Sequence, residues 1–192
     1  RPDEFIPICE ESQLIVPLGK KIMQQGFRFL KRLDASGFNQ IATSINISAI
    51  QLLQEGFVAD LKRMIAETGI DPSRLILEIT ESIFTNNYKA LNQKLTRIQK
   101  LGIKIAIDDF GTGYSSLARE RELNSDYLKL DKYFVDHLGR QEPCITGDII
   151  SMAHKLGQQV IAEGVETEAQ KAYLIEHHCD YMQGYLFSKP IS

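Results

Sequence analysis

Polar residues that could bind metal ions occur at the ends of several short apolar runs in this sequence. Asp108 and Asp109 follow the apolar run Ile105–Ile107, and Glu78 follows Leu75–Leu77. Similar positions are held by Asn46 in SINIS, Glu81 in LEITES, Lys129 and Asp131 in YLKLD, Glu163 and Glu166 in AEGVE, and Gln183 in YMQGY. So many carboxylates need counter-charge when they cluster, and carboxylate and amide oxygens suit Mg²⁺ or Mn²⁺. If the fold brings these residues together, they predict a divalent-metal site.

The segments that would position these residues alternate short β-rich runs with longer amphipathic runs. The predicted strands are Ile41–Ile47, Arg74–Thr80, Ile103–Asp108, Tyr127–Leu130, Gln159–Ala162 and Tyr181–Phe187. The predicted helices are Gln13–Leu33, Ala49–Glu67, Asn87–Leu101, Ile145–Leu156 and Glu166–His178. Repeated units of strand and helix predict an α/β protein with a parallel sheet.

Local signals support the helix boundaries. The first helix is indicated by apolar residues near helical spacing, namely Leu14, Leu18, Ile22 and Phe29. Pro17 would lie near its first turn, where proline is tolerated. Three other helices are followed by glycine stop signals, at Gly69, Gly102 and Gly157. The opening stretch RPDEFIP is expected to be a loop that leads into the first helix.

Two parallel architectures fit this order of elements, an open doubly wound sheet and a (β/α)8 barrel. The barrel normally has eight strands and about 250 residues. This chain of 192 residues offers six predicted strands, so a barrel would lack about two, and we expect the loss at the N-terminus. In either architecture the carboxyl ends of the strands share one edge, where active sites lie. The polar residues at the strand ends are therefore expected to cluster.

The composition is that of an ordinary globular domain, with 43% hydrophobic and 24% charged residues. The net charge of −3 disfavours non-specific binding of DNA or RNA. Cys9, Cys144 and Cys179 are far apart and form no CxxC motif, which fits a reducing compartment. No apolar run approaches the roughly 18 residues of a membrane-spanning helix. We expect a cytoplasmic domain, and any inner-membrane anchor of a longer protein would lie outside this segment.

Other patterns favour structure over chemistry. The loop GTGYSS, Gly111–Ser116, lacks the spacing and the lysine of a phosphate-binding loop and is interpreted as a mobile gating loop. His177, His178 and Cys179 are adjacent at a helix end and would point in different directions. No nucleophile elbow or Cys–His pattern supports acyl transfer. Any single acid at a strand end is commonly a helix N-cap, so the metal hypothesis depends on the whole set.

Seven segments of the chain carry the motifs of one family. They are EFIPICEES (Glu4–Ser12), INIS (Ile45–Ser48), LEITES (Leu77–Ser82), DDFGTGYSSL (Asp108–Leu117), YLKLDKYFV (Tyr127–Val135), VIAEGVET (Val160–Thr167) and QGYLFSKP (Gln183–Pro190). They cover nearly the whole chain in the family's order, and DDFGTGYSS beside AEGVET is a highly specific combination. On these motifs the chain resembles the EAL domain, the cyclic di-GMP phosphodiesterase family.

The resemblance implies a modified (β/α)8 barrel with two Mg²⁺ or Mn²⁺ ions in its site. Asn46, Glu78 and Asp108 resemble the ligands of the first metal. Asp108 and Asp109 resemble those of the second, so Asp108 would bridge the two ions. Lys129 resembles the residue that holds or activates the attacking water.

The resemblance also assigns supporting roles. Glu163 resembles a residue that binds metal-bound water. Gln183 resembles another residue that lies just beyond the direct ligands of the metals. Glu81 resembles a support for the DFGTGYSS loop, and Glu166 a support near Lys129. The implied catalytic set is Lys129, Glu163, Glu166 and Gln183. The implied substrate contacts are Pro7, Asn46, Asp131 and Gln183.

The implied substrate is cyclic di-GMP, which would be hydrolysed to linear pGpG. Two metals about 3.5–4 Å apart could bind one phosphodiester, supply hydroxide and stabilise in-line displacement. The implied partners are a second copy, paired through the DFGTGYSS loop region, and other signalling domains of a longer parent protein. No DNA or RNA partner is expected.

The family's naming motif, Glu-Ala-Leu followed by an arginine, is absent from the sequence. It is expected upstream of Arg1, so the chain is interpreted as a single EAL domain, residues 1–192, that lacks its N-terminal strands. This departure leaves a rival open, a catalytically inactive EAL-type receptor for cyclic di-GMP or a protein-interaction module. A sugar-phosphate or acid-processing barrel enzyme would need a different set of loops.

Overall fold

A computed structural model describes residues 1–80, 88–111, 124–138 and 144–191 of the chain. The chain divides into two compact units, Arg1–Ile105 and Ala106–Ser192. The strands are β1 (Thr43–Asn46), β2 (Leu75–Thr80), β3 (Lys104–Phe110), β4 (Tyr127–Leu130), β5 (Gln159–Ala162) and β6 (Tyr181–Met182). The described α-helices are α1 (Pro2–Glu11), α2 (Ile15–Ala35), α3 (Ala49–Leu53), α4 (Phe57–Thr68), α5 (Tyr88–Gln99), α6 (Lys132–Asp136), α7 (Thr146–Lys155) and α8 (Glu168–Glu176). All six predicted strands are present; β1 pairs with β2, and β3 to β6 pair in chain order.

The prediction of a loop over RPDEFIP is wrong, because these residues begin helix α1. Pro2 occupies the first helical turn, where its fixed φ angle favours a helix and no N–H is needed. The backbone N–H groups of Glu4 and Phe5 donate to the carbonyl of Arg1 at 3.1 and 3.2 Å. These bonds close the first turn, and the helix continues through Pro7 to Glu11.

Helix α2 carries two apolar stripes and buries only one of them. Most of the stripe that indicated the helix in the sequence faces outward. Leu14, Ile22 and Phe29 are 58%, 42% and 42% exposed, whereas Leu18 is partly buried. The buried residues are Ile15, Gly19, Met23, Phe27 and Leu30. A Cβ on Gly19 would collide with Gln51, and one on Gly26 would lie 2.6 Å from Ile45. The glycines therefore let this side of the helix approach its neighbours closely.

The predicted helix Ala49–Glu67 is two helices, α3 and α4. The chain leaves the helical conformation at Gln54, which has ψ of 135°, and Gly56 then precedes the first residue of α4. Ser48 caps α3 by accepting a hydrogen bond from the N–H of Ile50 at 3.2 Å. Gly69 ends α4 with φ of +61°, as its position after the predicted helix indicated.

The first unit holds the parallel pair β1 and β2. Their register places Thr43 opposite Leu75 and Asn46 opposite Glu78. Leu75, Leu77 and Ile79 are buried, so the apolar residues of β2 anchor the pair and place Glu78 beside the last residue of β1.

The second unit contains most of β3 and the parallel strands β4 to β6. Its core consists of buried residues from β3 to β5 and from α6 to α8, and the partly buried Met182 of β6 packs against it. Strand β3 is longer than predicted and includes both Asp108 and Asp109. Strand β6 is shorter than the predicted Tyr181–Phe187, because the chain turns at Gly184. A Cβ on Gly184 would collide with the backbone of Val165, so the turn depends on this glycine.

None of the helices in the described part of the chain combines the length and the apolar character needed to cross a membrane. Cys9, Cys144 and Cys179 are all free thiols.

Candidate active site

The two adjacent aspartates of β3 occupy different environments. Asp108 is only 8% exposed, whereas Asp109 is exposed and has φ of +55°. The pairing of β3 with β4 shifts register between Ile107 and Phe110, as it does at a β-bulge. A bulge redirects side chains that a regular strand would send to opposite faces. The N–H of Asp109 donates to Oδ1 of Asp108 at 3.0 Å, which orients the buried carboxylate.

Lys129 joins two acidic side chains in the interior of the second unit. It lies on β4, is 5% exposed, and places Nζ 2.8 Å from Oδ1 of Asp108 and 2.8 Å from Oε1 of Glu163. A buried ammonium group is costly unless charged partners compensate it. The two carboxylates supply that compensation, and the lysine in turn neutralises part of their charge.

Glu163 is fixed by backbone and side-chain hydrogen bonds. Its N–H donates to the carbonyl of Leu130 at 3.0 Å, which continues the pairing of β4 and β5 by one residue. Its Oε1 accepts from Nε2 of Gln183 at 2.5 Å as well as from Lys129. Gln183 is itself placed by its N–H, which donates to the carbonyl of Ala162 at 2.8 Å. Polar residues from the ends of four successive parallel strands thus form one connected network in the second unit.

Two other predicted residues of the second unit have local partners. Asp131 caps α6 by accepting a hydrogen bond from the N–H of Tyr133 at 2.8 Å. Oε1 of Glu166 lies 2.8 Å from Nζ of Lys132, a residue that the sequence did not single out. The available signal was its position directly after Asp131, in YLKLDKYFV.

The first unit carries Asn46, Glu78 and Pro7. Asn46 and Glu78 are partners in the register of β1 and β2, and the carbonyl of Glu78 accepts from the N–H of Ile47 at 2.8 Å. Glu78 is buried and Asn46 is exposed. Pro7 lies on an exposed part of α1. Oγ of Ser48 donates to Oε1 of Glu10 at 2.5 Å and so ties α1 to the segment that follows β1.

Two predictions fall outside the described residues. They are the role of Glu81 and the gating and pairing roles of the DFGTGYSS loop beyond Gly111.

The donor chemistry of the predicted ligands fits a hard divalent cation. Asn46, Glu78, Asp108 and Asp109 offer carboxylate and amide oxygens, the donors that Mg²⁺ and Mn²⁺ prefer. Within the described ranges, no three His, Cys, Asp or Glu side chains form a ready-made metal group. His177, from the His-His-Cys pattern, stacks on the ring of Tyr173 at a centroid distance of 4.0 Å, which supports its structural interpretation.

Comparison with known proteins decides the family. The family model described as EAL domain matches residues 1–190 of the chain. The chain belongs to the EAL domain family.

Relatives and solved structures agree with this assignment. The chain is 40% identical to the signaling protein YkoW of Bacillus subtilis and 38% identical to the cyclic di-GMP phosphodiesterase NbdA of Pseudomonas aeruginosa. Both matches cover 99% of this chain and 24% of the relative, so the chain spans about a quarter of the length of these curated relatives. The solved PaMucR phosphodiesterase, in a c-di-GMP complex, matches 100% of this chain and 78% of its own with a TM-score of 0.92 and 33% identity.

These matches confirm the predicted fold class, the EAL type of TIM-like α/β barrel. They favour it over the open doubly wound sheet, which the order of predicted elements had left possible. EAL phosphodiesterases in general depend on divalent metal ions.

Proposed function

We propose that this EAL domain is a phosphodiesterase that hydrolyses cyclic di-GMP to linear pGpG. The observation that carries the proposal is the position of Lys129, which donates to the carboxylates of Asp108 and Glu163 at the ends of three adjacent parallel strands. A relative named cyclic di-GMP phosphodiesterase and a solved phosphodiesterase with bound c-di-GMP support the choice of substrate.

The proposed metal ligands are Asn46 and Glu78 of the first unit and Asp108 and Asp109 of the second. That the two sets bind the same pair of ions is an inference from the family resemblance. Bound Mg²⁺ or Mn²⁺ would polarise the phosphoryl oxygens and lower the pKa of a coordinated water. The buried carboxylate of Asp108 suits this role because it can exchange its hydrogen bond with Lys129 for a cation.

Lys129 would orient the attacking water through its ammonium group. The group keeps its direction because Glu163 accepts a hydrogen bond from one of its three N–H groups. Gln183 donates to the same carboxylate oxygen and so limits the movement of Glu163. A fixed donor near the phosphodiester can also stabilise negative charge that develops during displacement.

The remaining site predictions belong to the same proposal. Pro7, Asp131 and Gln183 are proposed substrate contacts, with Asn46 shared between substrate and metal. A second copy paired through the DFGTGYSS loop region and further signalling domains are proposed partners. A cytoplasmic location also stays a prediction, and the free thiols are compatible with it.

The test is hydrolysis of cyclic di-GMP in the presence of Mg²⁺ or Mn²⁺, followed by separation of pGpG from the substrate. Because the sequence lacks the Glu-Ala-Leu motif, one arm uses the chain as it stands and a second joins a family segment with that motif before Arg1. Asp108→Ala should abolish turnover, whereas Glu168→Ala, on the exposed side of α8, should not. Absence of turnover in both arms with both metals would overturn the enzyme proposal.

A receptor without catalysis is the second candidate. It is the alternative that the family resemblance leaves open for a sequence without the Glu-Ala-Leu motif. In a receptor, Lys129 would serve only to neutralise part of the charge of Asp108 and Glu163. Calorimetry with cyclic di-GMP separates the candidates, since a receptor binds the nucleotide without metal and leaves it intact when Mg²⁺ or Mn²⁺ is added.

A further inference from the structure

Lys132, the first residue of α6, contacts the segment Glu163–Thr167, which we call the 163–167 loop. We propose that Lys132 is a positioning residue, which holds this loop so that Glu163 meets Lys129, and that Glu166 acts through Lys132. The catalytic part of this inference rests on the proposed function. Its structural part concerns only described contacts within the second unit.

The first argument is the ion network around Lys132. Its Nζ lies 2.8 Å from Oε1 of Glu166 and 3.0 Å from Oδ1 of Asp136. The hydrogen bond that Lys132 donates to Glu166, and then the one that it donates to Asp136, raise the pKa of Lys132 above its ordinary value. The side chains of Lys132 and Glu166 are about half exposed, so the pair adds little to overall stability. We expect the Lys132–Glu166 pair to act instead on the local geometry of the 163–167 loop.

The second argument is packing. Gly164 follows Glu163 and has φ of +71°, a conformation that favours glycine. A Cβ at this position would collide with the Cβ, Cγ and Cδ atoms of Lys132. The aliphatic part of Lys132 therefore lies against the backbone of Gly164, while its ammonium group reaches Glu166. One side chain contacts the loop at two points.

The third argument is a second attachment of the loop to α6. Oε1 of Gln170 accepts from the N–H groups of Glu166 and Thr167 at 2.8 and 2.9 Å. Nε2 of the same side chain donates to the carbonyl of Val135 at 3.2 Å. The far end of the loop is thus fixed to the helix that Lys132 begins. Displacement of the loop would move Glu163, whose Oε1 accepts from Lys129.

These contacts give Glu166 a partner that the family resemblance did not name. The resemblance implies a support near Lys129, and the described ion pair of Glu166 is with Lys132. The pair links the loop after β5 to the helix after β4. Glu166 would therefore affect catalysis by placing Glu163, without a proton transfer of its own.

The test compares Lys132→Met, Lys132→Arg and Glu166→Gln with the unmodified chain. Lys171→Met is the matched control, because it breaks the exposed Lys171–Glu168 pair on α8, outside the loop. Hydrogen exchange of the amides in the 163–167 loop is measured without ligand. Hydrolysis of cyclic di-GMP is measured in whichever form of the domain hydrolyses it, the chain itself or the chain joined to a segment with the Glu-Ala-Leu motif.

We expect faster hydrogen exchange in the loop for Lys132→Met and Glu166→Gln, and an unchanged exchange rate for Lys171→Met. A misplaced catalytic group commonly lowers the rate, so kcat should fall by about tenfold in both loop variants with KM nearly unchanged. Lys132→Arg should restore most of the rate, because it keeps the charge and the aliphatic contact with Gly164.

Unchanged loop exchange in both Lys132→Met and Glu166→Gln would overturn the inference whatever the activity. Faster exchange with unchanged kcat would overturn the positioning role. If the unmodified domain does not hydrolyse cyclic di-GMP, the proposed function fails, and loop exchange alone decides whether Lys132 holds the loop. If Lys132→Met does not fold, Glu166→Gln gives the same readout without removing the aliphatic contact.

Discussion

The Nζ atom of Lys129 lies 2.8 Å from Oδ1 of Asp108, and both residues are buried. The lysine therefore occupies one oxygen of a carboxylate that is also a proposed metal ligand. A metal ion at the proposed site would therefore compete with the lysine for Asp108, although both are proposed to be needed for hydrolysis.

Lys129→Met should separate the role of Lys129 in hydrolysis from its competition with a metal ion. Turnover should fall by about 10²–10⁴-fold, the usual contribution of a group that acts on a reacting water. Affinity for Mn²⁺ should rise by about tenfold, because a charge-assisted hydrogen bond of about 1.5 kcal/mol no longer has to be broken. Calorimetry with MnCl₂ measures the affinity, and Lys171→Met is the control. Weaker or equal Mn²⁺ binding by Lys129→Met would contradict the competition.

Phe27 and Phe29 provide a matched pair of substitutions on α2. Phe27 is fully buried and Phe29 is 42% exposed. Phe27→Ala should lower the free energy of unfolding by about 3–5 kcal/mol, as is typical for a buried phenylalanine. Phe29→Ala should change it by about 0.5 kcal/mol or less. Urea unfolding followed by circular dichroism gives both values, and similar losses would show that the outward stripe of α2 is packed in solution.

Gly184→Ala should destabilise the second unit. Its Cβ would collide with the backbone of Val165, which cannot move as freely as the end of a side chain. Forcing extra atoms into such a contact costs about 1–3 kcal/mol. Gly56→Ala is the control, because no atom lies within 4 Å of a Cβ there and its φ is −78°. If the melting temperatures of the two variants agree, the close approach of Gly184 to Val165 is not needed.

Asp180 should make stability depend on pH. Burial would raise the pKa of Asp180, but the N–H of Val160 and then the ring of His154 hold it below its ordinary value of 3.8. Its Oδ2 lies 2.8 Å from the former and 2.9 Å from the latter. A lowered pKa in the folded state means that Asp180 stabilises the fold above pH 3.8 and loses this effect as the pH falls through the lower folded value.

The measurement for Asp180 is urea unfolding of the unmodified chain and of Asp180→Asn between pH 7 and pH 3. The difference in unfolding free energy should be largest at neutral pH and should shrink in acid. A difference that stays constant over this range would mean that ionisation of Asp180 does not contribute.

Much of the site network could be read from residue order. Asp108, Lys129, Glu163 and Gln183 each follow a short apolar run, and parallel strands bring such ends to one edge. The pairing of Glu166 with Lys132 could not be read in this way. It depends on the positive φ of Gly164 and on the start of α6, a helix of five residues that is too short to show a periodic pattern.

The fold was predictable where one signal was decisive and less so where two competed. The strands Tyr127–Leu130 and Gln159–Ala162 have the predicted bounds, because both are short and mostly apolar runs between polar segments. Helix α2 has two apolar stripes, and periodicity alone cannot say which one is buried. The glycines at positions 19 and 26 decide it by allowing close contact on one side.

Asp109 holds a backbone conformation, φ of +55°, that glycine adopts at less cost. Replacement by glycine would therefore be expected to favour folding while it removes a carboxylate from the proposed metal site. At this one residue, thermal stability favours glycine, whereas the negative charge of the proposed site requires the aspartate. Selection for thermal stability alone, in evolution or in the laboratory, would tend to remove Asp109, and its retention would indicate that the acid is in use.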